Sequence, residues 1–432
     1  MKKKEARGEK LSAVDSLRSE AGELGNDVQR WILNAPKLCA KIAAVLSEMP
    51  AADQPEENWW LAEADAKLKD LLSLAESFTP WLLREMIETR RVLPQLYKAE
   101  TICGLTLQNY AQIVGRILSL SESEISPQIR DVIGRSQENV EQMRSRLKEL
   151  AENAETLVGD MDFRLFYEPA RKALSVGFDV AQNQLQRSFY DLLASEARSA
   201  VFVAIAKNEI PQETWFRLGR THTRYAKRTV LLSWTGTMFE YLMPALWLKH
   251  FPSTMLEHSL NGAVACQEAY VRPHKIPWGI SEGACTARND AGHFEYYAFG
   301  VPPLALKANV PRKIVITPYA SALALNTSPR EALANLRAMD ELGWNGRYGF
   351  HESAEYTAAT EEGKGSFEVV PSWMAHHQGM ILLSICNLLS DCVFQKRFHE
   401  EVRVEATERI LHELPLSFHA MSQMVVAPQP AD

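Results

Sequence analysis

Hydrophobic positions recur with the period of an α-helix through most of residues 11–158. AKLKDLLSLAESF and LLREMIETRRVLPQLYKAE place apolar residues at i, i+3, i+4 and i+7, which is typical of amphipathic helices. The long polar stretch 126–158 carries one apolar stripe and is interpreted as part of a helical hairpin. Residues 50–55, which lie within the stretch MPAADQPEEN, are predicted to be a linker. These patterns predict an N-terminal helical region over 1–158.

The pattern changes near residue 159. Short apolar alternations and turn residues in GDMDFRLFYEPARKALSVGFDV predict a small β-hairpin or an irregular loop. Helical periodicity returns at about 186 and predicts helices over 188–208, 211–219, 229–251, 254–273, 318–343 and 372–400. The run HTRYAKRTVLLSW is a candidate strand inside this region.

Long connections rich in Gly, Pro and aromatic residues separate these helices, at 271–303 and 344–365. Loops of this length are usually functional or disordered, and their aromatic content argues against disorder. Many apolar helices joined by such loops predict a helical toroid over 159–432, with a pocket at the end where the loops meet. This toroid could recruit helices from before residue 159.

Composition narrows the possible partners. The chain of 432 residues has a formal net charge of −7, which argues against nucleic-acid binding. No apolar run reaches the roughly 18 residues that a membrane span needs, and MKKKEARGEK lacks the apolar segment of a signal peptide. The six cysteines have no CxxC spacing and are interpreted as free thiols in a reducing compartment. The predicted location is therefore the cytoplasm or the cytoplasmic face of the inner membrane.

Two glutamates in the long connections are candidate catalytic acids. Glu282 lies in IPWGISEGAC and Glu352 lies in GRYGFHESAEY, both among glycines and aromatic residues. Cleavage of a glycosidic bond needs one carboxyl that donates a proton and a second that acts as base or nucleophile. An apolar setting raises the pKa of the donor. The alternative, that each acid caps a helix or pairs with Arg288 or Arg347, stays open on the residues alone.

Other polar and aromatic side chains are candidates for the same pocket. Flat aromatic faces stack on sugar rings. Glu240 lies in an apolar stretch and is either a hydrogen-bond hub or a pocket residue, whereas Asp191 and Glu196 are interpreted as structural. The adjacent His376 and His377 do not form a metal motif, and no nucleotide-binding or nucleophile-elbow motif is present, so no cofactor is expected. The aromatic candidates are Trp215, Trp234, Trp278, Trp344, Trp373, Tyr296, Tyr297 and Tyr348.

Several motifs, in order, resemble one known family. MDFRLFYEPARKALSVGFDV, SFYDLLASEARSAVFVAIAK, LLSWTGTMFEYLMP, PWGISEGA, YYAFGVPPLALK, GRYGFHESAEYT and SWMAHHQGM are similar to the glucoamylase-like middle region of cyclic β-1,2-glucan synthases. The resemblance covers about 159 to 415, and it is looser over the N-terminal helices. That region is the cyclisation domain of a large inner-membrane enzyme, and it is related to endo-β-1,2-glucanases.

The resemblance implies a mainly α fold, an (α/α)6 barrel with minor β-hairpins. It implies a retaining transglycosylase that converts linear β-1,2-glucan into cyclic glucan, with Glu282 as acid/base and Glu352 as nucleophile. An endo-β-1,2-glucanase and a non-catalytic glucan-binding module of a synthase complex are the alternatives. The glycosyltransferase and phosphorylase regions of a synthase are not in this sequence, so we expect an excised or split middle module that works with other modules. Predicted substrate-binding residues are Trp234, Glu240, Tyr241, Trp278, Tyr297, Arg347, Tyr348, Glu355, Tyr356, His376, His377 and Gln378.

The sequence departs from the family pattern at three positions. Thr235 replaces a glycine, Gly283 replaces a serine directly after Glu282, and Glu355 replaces an aspartate. Both candidate acids are kept. The departures leave open the chain-length preference and the balance between transfer and hydrolysis.

Overall fold

The structure is a computed structural model of the chain. It describes residues 14–25, 28–48, 55–83, 87–94, 98, 105–121, 123–307, 313–356 and 366–415. The described residues are mostly helical, and they divide into two compact units, residues 1–161 and 162–432. The mainly α class predicted from periodicity is confirmed.

The N-terminal unit is built of helices. Its core contains an isoleucine and valine stripe on Tyr110–Leu118 that packs with Ile129 and Ile133, spaced four residues apart on the longest helix. Ser126 begins that helix by accepting a hydrogen bond from the Ile129 amide. The linker predicted at 50–55 lies outside the described residues except for Pro55, which starts a helix. The helices are 14–24, Val28–Glu48, Pro55–Phe78, Ile87–Val92, Tyr110–Leu118 and Pro127–Asp160, with a 3-10 turn at Pro80–Leu82.

The second unit combines helices with small antiparallel sheets. The hairpin region predicted near 159 forms two hairpins, Tyr167–Glu168 with Ala173–Leu174 and Phe178–Asp179 with Gln184–Leu185. The α-helices are Ala197–Ala206, Glu213–Arg217, Met238–Leu242, Met255–Val271, Pro318–Leu323, Pro329–Glu341, Ala375–Leu389, Val393–His399 and Val402–Thr407. Short 3-10 turns lie at Phe163–Phe166, Met243–Leu246, Arg272–His274, Pro302–Leu304, Ala324–Asn326 and Glu408–Leu411.

Two of the sheets lie in the long connections. Gly283–Arg288 pairs antiparallel with Phe294–Tyr297, so Ala284 lies opposite Tyr296. Ser353–Tyr356 is the central strand of a three-stranded sheet, between Ile314–Ile316 and Phe367–Val370. The connections predicted to be long loops therefore contain much of the strand structure. The other pairs are His222–Tyr225 with Arg228–Leu231, which confirms the candidate strand, and Asn345–Gly346 with Gly349–Phe350.

Several predicted helices are shorter or divided in the structure. The helix predicted over 211–219 covers only Glu213–Arg217, the one over 318–343 divides into Pro318–Leu323 and Pro329–Glu341, and the one over 372–400 divides into Ala375–Leu389 and Val393–His399.

Two further differences concern the candidate site. The helix predicted over 188–208 begins only at Ala197. The Ser195 hydroxyl accepts a hydrogen bond from the Ala197 amide, and Glu196 is the N-cap residue. The prediction of a helix over 229–251 is wrong for its first half, where Arg228–Leu231 is a strand. Gly236 then turns the chain at a φ of 76° before Met238–Leu242. In both cases the irregular segment that replaces the helix reaches the cavity described below.

The centre of the second unit is a short helix with no solvent-facing side. All residues of Pro318–Leu323 are buried, and the helix contacts Met238–Leu242, Pro329–Glu341 and Ala375–Leu389. Small side chains such as Ala320 and Ala322 allow this close approach. Tyr319 on this helix connects the core to the site.

Within the described residues, no single helix is long and apolar enough to cross a bilayer. One helix pair, Ala375–Leu389 with Val393–His399, meets the length and composition test only when the two are taken together across an 89° bend.

Candidate functional site

Four carboxylates line one open cavity of the second unit. The cavity has a volume of about 580 Å³, and Asp191, Glu196, Glu240 and Glu282 contribute to its wall. Two arginines and an exposed tryptophan also line it. A concave site with convergent acids and an aromatic face is suited to a sugar chain. The further lining residues are Arg171, Val176, Arg187, Ser188, Phe189, Tyr190, Ser195, Trp234, Thr235, Thr237 and Ala298.

The backbone that carries Glu282 is held on both sides by buried side chains. The side-chain amide of Gln267 accepts a hydrogen bond from the Ile280 N–H at 2.9 Å and donates one to the Ile280 carbonyl at 2.7 Å. Asn335 likewise accepts from the Trp278 amide at 3.1 Å and donates to its carbonyl at 2.7 Å. The Tyr319 hydroxyl donates to the carbonyl oxygen of Glu282 at 2.9 Å. The acid therefore projects from a fixed main chain, as a catalytic group requires.

The pKa of Glu282 is raised to about 7. Burial is the main cause, because it disfavours the ionised form, and the negative charges of Glu196 and Glu240 add to it. The side chain still lines the cavity, so the proton can reach a ligand. A carboxyl that keeps its proton near neutral pH is suited to act as a general acid.

Glu196 is the second acid of the cavity with a raised pKa. Burial is again the main cause, Glu240 adds to it, and the positive charge of Arg198 opposes it. Arg198 is buried and donates to the carbonyl of Glu240 at 3.1 Å and to that of Tyr241. This arginine ties the segment that carries Glu196 to the helix Met238–Leu242. Burial lowers the pKa of Arg198 to about 9, so the guanidinium stays charged at neutral pH.

Glu240 is a hydrogen-bond hub inside the cavity wall. Its carboxylate accepts from the hydroxyls of Ser233 and Thr235 at 2.9 and 2.8 Å and from the Thr237 amide at 3.1 Å. The Thr237 hydroxyl oxygen in turn accepts a hydrogen bond from the Glu240 amide, which makes a capping box. Thr235, a departure from the family pattern, thus supplies one extra bond. Since its oxygens are already occupied, Glu240 shapes the loop 233–237 rather than offering a free carboxylate.

Trp234 and Asp191 form the outer wall. Trp234 is 42% exposed, and its indole N–H donates to Asp191 Oδ1 at 2.9 Å. The bond fixes the plane of the ring at the cavity mouth. The placement supports the prediction that Trp234 stacks on substrate, which stays a proposal.

Glu352 does not line this cavity. Its side chain is 0% exposed, and its oxygens accept from His377 Nδ1 at 2.9–3.0 Å and from the Ala284 amide at 3.3 Å. In this structure Glu352 contacts His377, and its assignment as nucleophile stays a prediction from the family resemblance.

Three predicted substrate-binding residues lie in the core instead. Tyr241 is fully buried and its hydroxyl donates to the Leu231 carbonyl at 2.6 Å. Trp278 and Tyr356 are also buried in the core cluster of this unit. These three side chains are buried and do not line the cavity, and their part in substrate binding stays a prediction.

The remaining predicted residues lie outside the lining of the cavity. Tyr348 is exposed on the hairpin that also carries Arg347, and its ring packs edge-on against Trp373. Tyr297 is exposed and its hydroxyl donates to Glu295 at 2.6 Å. His376 packs against the rings of Tyr296 and His377, and Gln378 donates to the Phe350 carbonyl at 3.1 Å.

Glu355 is held in a salt bridge on the central strand of the three-stranded sheet. It pairs with Lys313 at 2.7 Å and accepts from the Thr286 hydroxyl at 2.7 Å. Burial raises its pKa, but Lys313 and Thr286 outweigh burial and lower the pKa overall. Glu355, which is longer than the aspartate of the family pattern, thus forms a salt bridge with Lys313.

Glu196 lines the cavity, although the sequence interpretation gave it a structural role. The surrounding LLASEARSAVF has the pattern of one continuous helix, on which Glu196 is interpreted as an acid paired with Arg198 or another cation. The break of the helix at Ala197 is what turns Glu196 into the cavity. Within the described residues, no group of three or more His, Cys, Asp or Glu side chains is arranged to hold a metal ion.

Gly283 leaves no room for the serine that the family has at this position. A Cβ there would lie 2.8 Å from the Thr317 methyl carbon and 3.3 Å from Glu352 Oε1. Gly283→Ser is therefore expected to lower the free energy of unfolding by about 1–3 kcal/mol through overpacking. In denaturant unfolding, adding Thr317→Ser, which keeps the hydroxyl bond to the Gly279 carbonyl, should recover part of that loss. A single variant as stable as the wild type would contradict this account.

Known proteins similar to this chain process or synthesise glucans. Residues 188–401 match the family model described as putative glucoamylase. The chain is 38% identical over 299 residues to the cyclic beta-(1,2)-glucan synthase NdvB of Rhizobium meliloti (strain 1021). That match covers 69% of this chain but only 10% of the relative, so the chain spans about a tenth of the length of that curated protein.

Two solved structures of endo-beta-1,2-glucanase from Talaromyces funiculosus also align with the chain. One is a complex with sophorose and the other is a mutant with beta-1,2-glucan; the TM-scores are 0.46 and 0.47. Each is 13% identical, and each alignment covers 93% of this chain and 80% of the other.

Proposed function

Because residues 188–401 belong to the putative glucoamylase family, we propose that the chain cleaves and re-forms glycosidic bonds of linear β-1,2-glucan. The 38% identity to a cyclic β-(1,2)-glucan synthase supports the substrate class. The observation that carries the proposal is Glu282, a partly buried acid with a pKa of about 7 beside Glu196 in an open cavity.

The proposed reaction is retaining and uses these two carboxylates. Glu196 attacks the anomeric carbon while Glu282 donates its proton to the leaving glycosidic oxygen. The glycosyl–carboxylate ester is then broken by an acceptor hydroxyl, whose proton returns to Glu282. When the acceptor is the far end of the same glucan, the product is cyclic; when it is water, the product is a shorter linear chain.

Charge repulsion supports this division of roles. Each carboxylate raises the cost of ionising its neighbour, so the cavity holds a proton at neutral pH. The more strongly perturbed Glu282 carries that proton. Burial and Glu240 raise the pKa of Glu196 and the positive charge of Arg198 opposes them, so we propose Glu196, the less perturbed acid, as the partner that attacks.

Product analysis with linear β-1,2-glucan tests the proposal. Transglycosylation gives products without a reducing end that resist exo-acting enzymes, and we expect these to dominate. New reducing ends alone would instead assign an endo-β-1,2-glucanase. Glucan binding without any turnover would assign the non-catalytic module and end the catalytic proposal.

We also propose that the second unit is an (α/α)6 barrel, as the family resemblance implies. The fully buried helix Pro318–Leu323, enclosed by three other helices, has the environment of an inner helix of a double ring. An experimental structure that did not have alternating inner and outer helices would refute this. The cooperation with other synthase modules and the cytoplasmic location remain predictions from the sequence.

A further inference from the structure

The second half of the helix Pro127–Asp160 has solvent on all sides. Every residue from 141 to 157 is exposed, and Leu150 and Leu157 are 62% and 66% exposed. Helices gain most of their stability by packing an apolar face, and a run of exposed apolar side chains marks an interaction surface. We infer that residues 143–161 form an antiparallel coiled coil with the same residues of a second copy of this chain. This association is independent of the chemistry proposed at Glu282.

One stripe with heptad spacing runs along the whole helix. Steps of four and three residues alternate along it without interruption, as in a coiled-coil seam. Its first four positions are the residues that the helix buries in the N-terminal unit. The next six continue the same seam, and the five large side chains among them are exposed. A helix lying along this second half would therefore extend a seam that the core has already begun. The ten positions are Ile129, Ile133, Ser136, Val140, Met143, Leu147, Leu150, Ala154, Leu157 and Met161.

The charges along this segment select the orientation of the partner. Residues 144–148 carry Arg144, Arg146 and Lys148, whereas residues 149–160 carry four acids and no lysine or arginine. A parallel pair of copies would place basic residues beside basic ones and acidic residues beside acidic ones. An antiparallel pair places each basic segment beside the acidic segment of the other copy. The segment is thus complementary to its own reversed copy, which is the condition for a two-fold symmetric dimer.

The heptad positions also give the register of this pair. With the apolar positions of the two copies facing one another, Leu147 lies opposite Leu157 of the second copy, and Leu150 lies opposite Ala154 of the second copy. Arg146 then flanks the seam beside Asp160 of the second copy, and symmetry repeats this pair. Within one chain these two residues are separated by fourteen residues of helix, or about 21 Å, so they meet only between copies.

Sedimentation velocity of the full chain over a micromolar concentration series tests the association. We expect the wild type to move from monomer to dimer as the concentration rises. Leu150→Glu places a charge in the seam and should raise the dimer Kd at least about tenfold. Leu74→Glu is the matched control, because Leu74 is 55% exposed on another helix of the N-terminal unit, and it should leave Kd within about twofold.

Two results of that measurement would overturn the inference. A wild type that stays monomeric would leave the stripe to a helix of a different protein. A dimer that Leu150→Glu does not weaken would have its interface elsewhere. Circular dichroism should show the same helix content in the variant and the wild type, since Leu150 is exposed in the single chain.

Charge reversal tests the antiparallel register. Arg146→Glu and Asp160→Arg should each raise Kd by about fivefold, because each puts like charges together in both symmetric pairs. The two changes combined in one chain should return Kd to within about twofold of the wild type, since opposite charges then meet again. A double variant weaker than either single variant would refute this register.

Cysteine cross-linking checks the orientation independently of affinity. When Leu147→Cys and Leu157→Cys proteins are mixed and oxidised in air, the antiparallel pair should give a disulfide between the two variants, with the wild type as the blank for its own cysteines. Cross-linking of each variant with itself would instead indicate a parallel pair. That result, or no mixed disulfide at a concentration where the wild type is dimeric, would overturn the inference.

Discussion

Replacing Glu282 with glutamine is expected to lower kcat/KM on linear β-1,2-glucan by about 10²–10⁴-fold. Glutamine keeps the shape of the side chain and the Tyr319 bond to the main-chain carbonyl, so the fold should persist. It removes the proton that the leaving oxygen needs. Glu268→Gln is a matched control, because burial also raises the pKa of Glu268 but this residue is not part of the cavity lining.

The pH dependence of the wild type gives the same assignment an independent check. Glu282 donates a proton only while it is protonated, and its pKa is raised to about 7. Activity should therefore be present below about pH 7 and fall as the pH rises through that value. Initial rates from pH 5 to 9 measure this limb. Unchanged activity in Glu282→Gln, or a basic limb that survives the substitution, would contradict the assignment.

Replacing Glu196 with glycine is expected to lower kcat by about 10⁴-fold or more, because it removes the proposed nucleophile. The space left by the side chain admits azide, which attacks the anomeric carbon in place of the carboxylate. We expect azide to restore turnover and to give a glycosyl azide of inverted configuration. Mass spectrometry and NMR of the product measure this.

Glu352→Gly, which opens the same kind of space, is the decisive comparison for that experiment. Glu352 lies within hydrogen-bonding distance of His377 and the Ala284 amide and is closed to solvent, so its loss should cost only about tenfold through misplaced groups. Azide should not rescue it. Rescue of a Glu352 variant combined with full activity of Glu196→Gly would return the nucleophile to Glu352.

Much of the helical framework was predictable from periodicity. The amphipathic stripes of the N-terminal unit and the helix Met255–Val271 lie where apolar spacing puts them, and the cap residues Ser126 and Thr254 begin their helices. The prediction failed at 188–196 and 229–237, where apolar residues continue a helical pattern but the chain is irregular or extended. There Ser195, Gly236 and the Glu240 hub decide the backbone, and these are local polar bonds that hydrophobic spacing does not report.

In the candidate site, too, one part could be predicted from the sequence and another could not. The residues around Glu282 were sufficient to single it out, because an acid among glycines and aromatic residues is unusual and its motif is specific. Glu196, the partner that we propose for it, could not be singled out from the sequence in the same way. Glu352 has an equally distinctive motif, yet its carboxylate is closed off by His377 and Ala284, whereas Glu196 looks like an ordinary helix acid and opens into the cavity.

The sequence by itself therefore determined the helical class and the family resemblance over about 159 to 415, and it predicted Glu282 as a candidate acid. Only the tertiary structure decided which carboxylates share a cavity. The physical reason is that spacing along the chain sets which side chains share a helix or strand face, whereas burial and mutual repulsion depend on neighbours far apart in sequence. Glu282 owes its raised pKa to burial and to Glu196 and Glu240, and the chain brings these three together only when it folds.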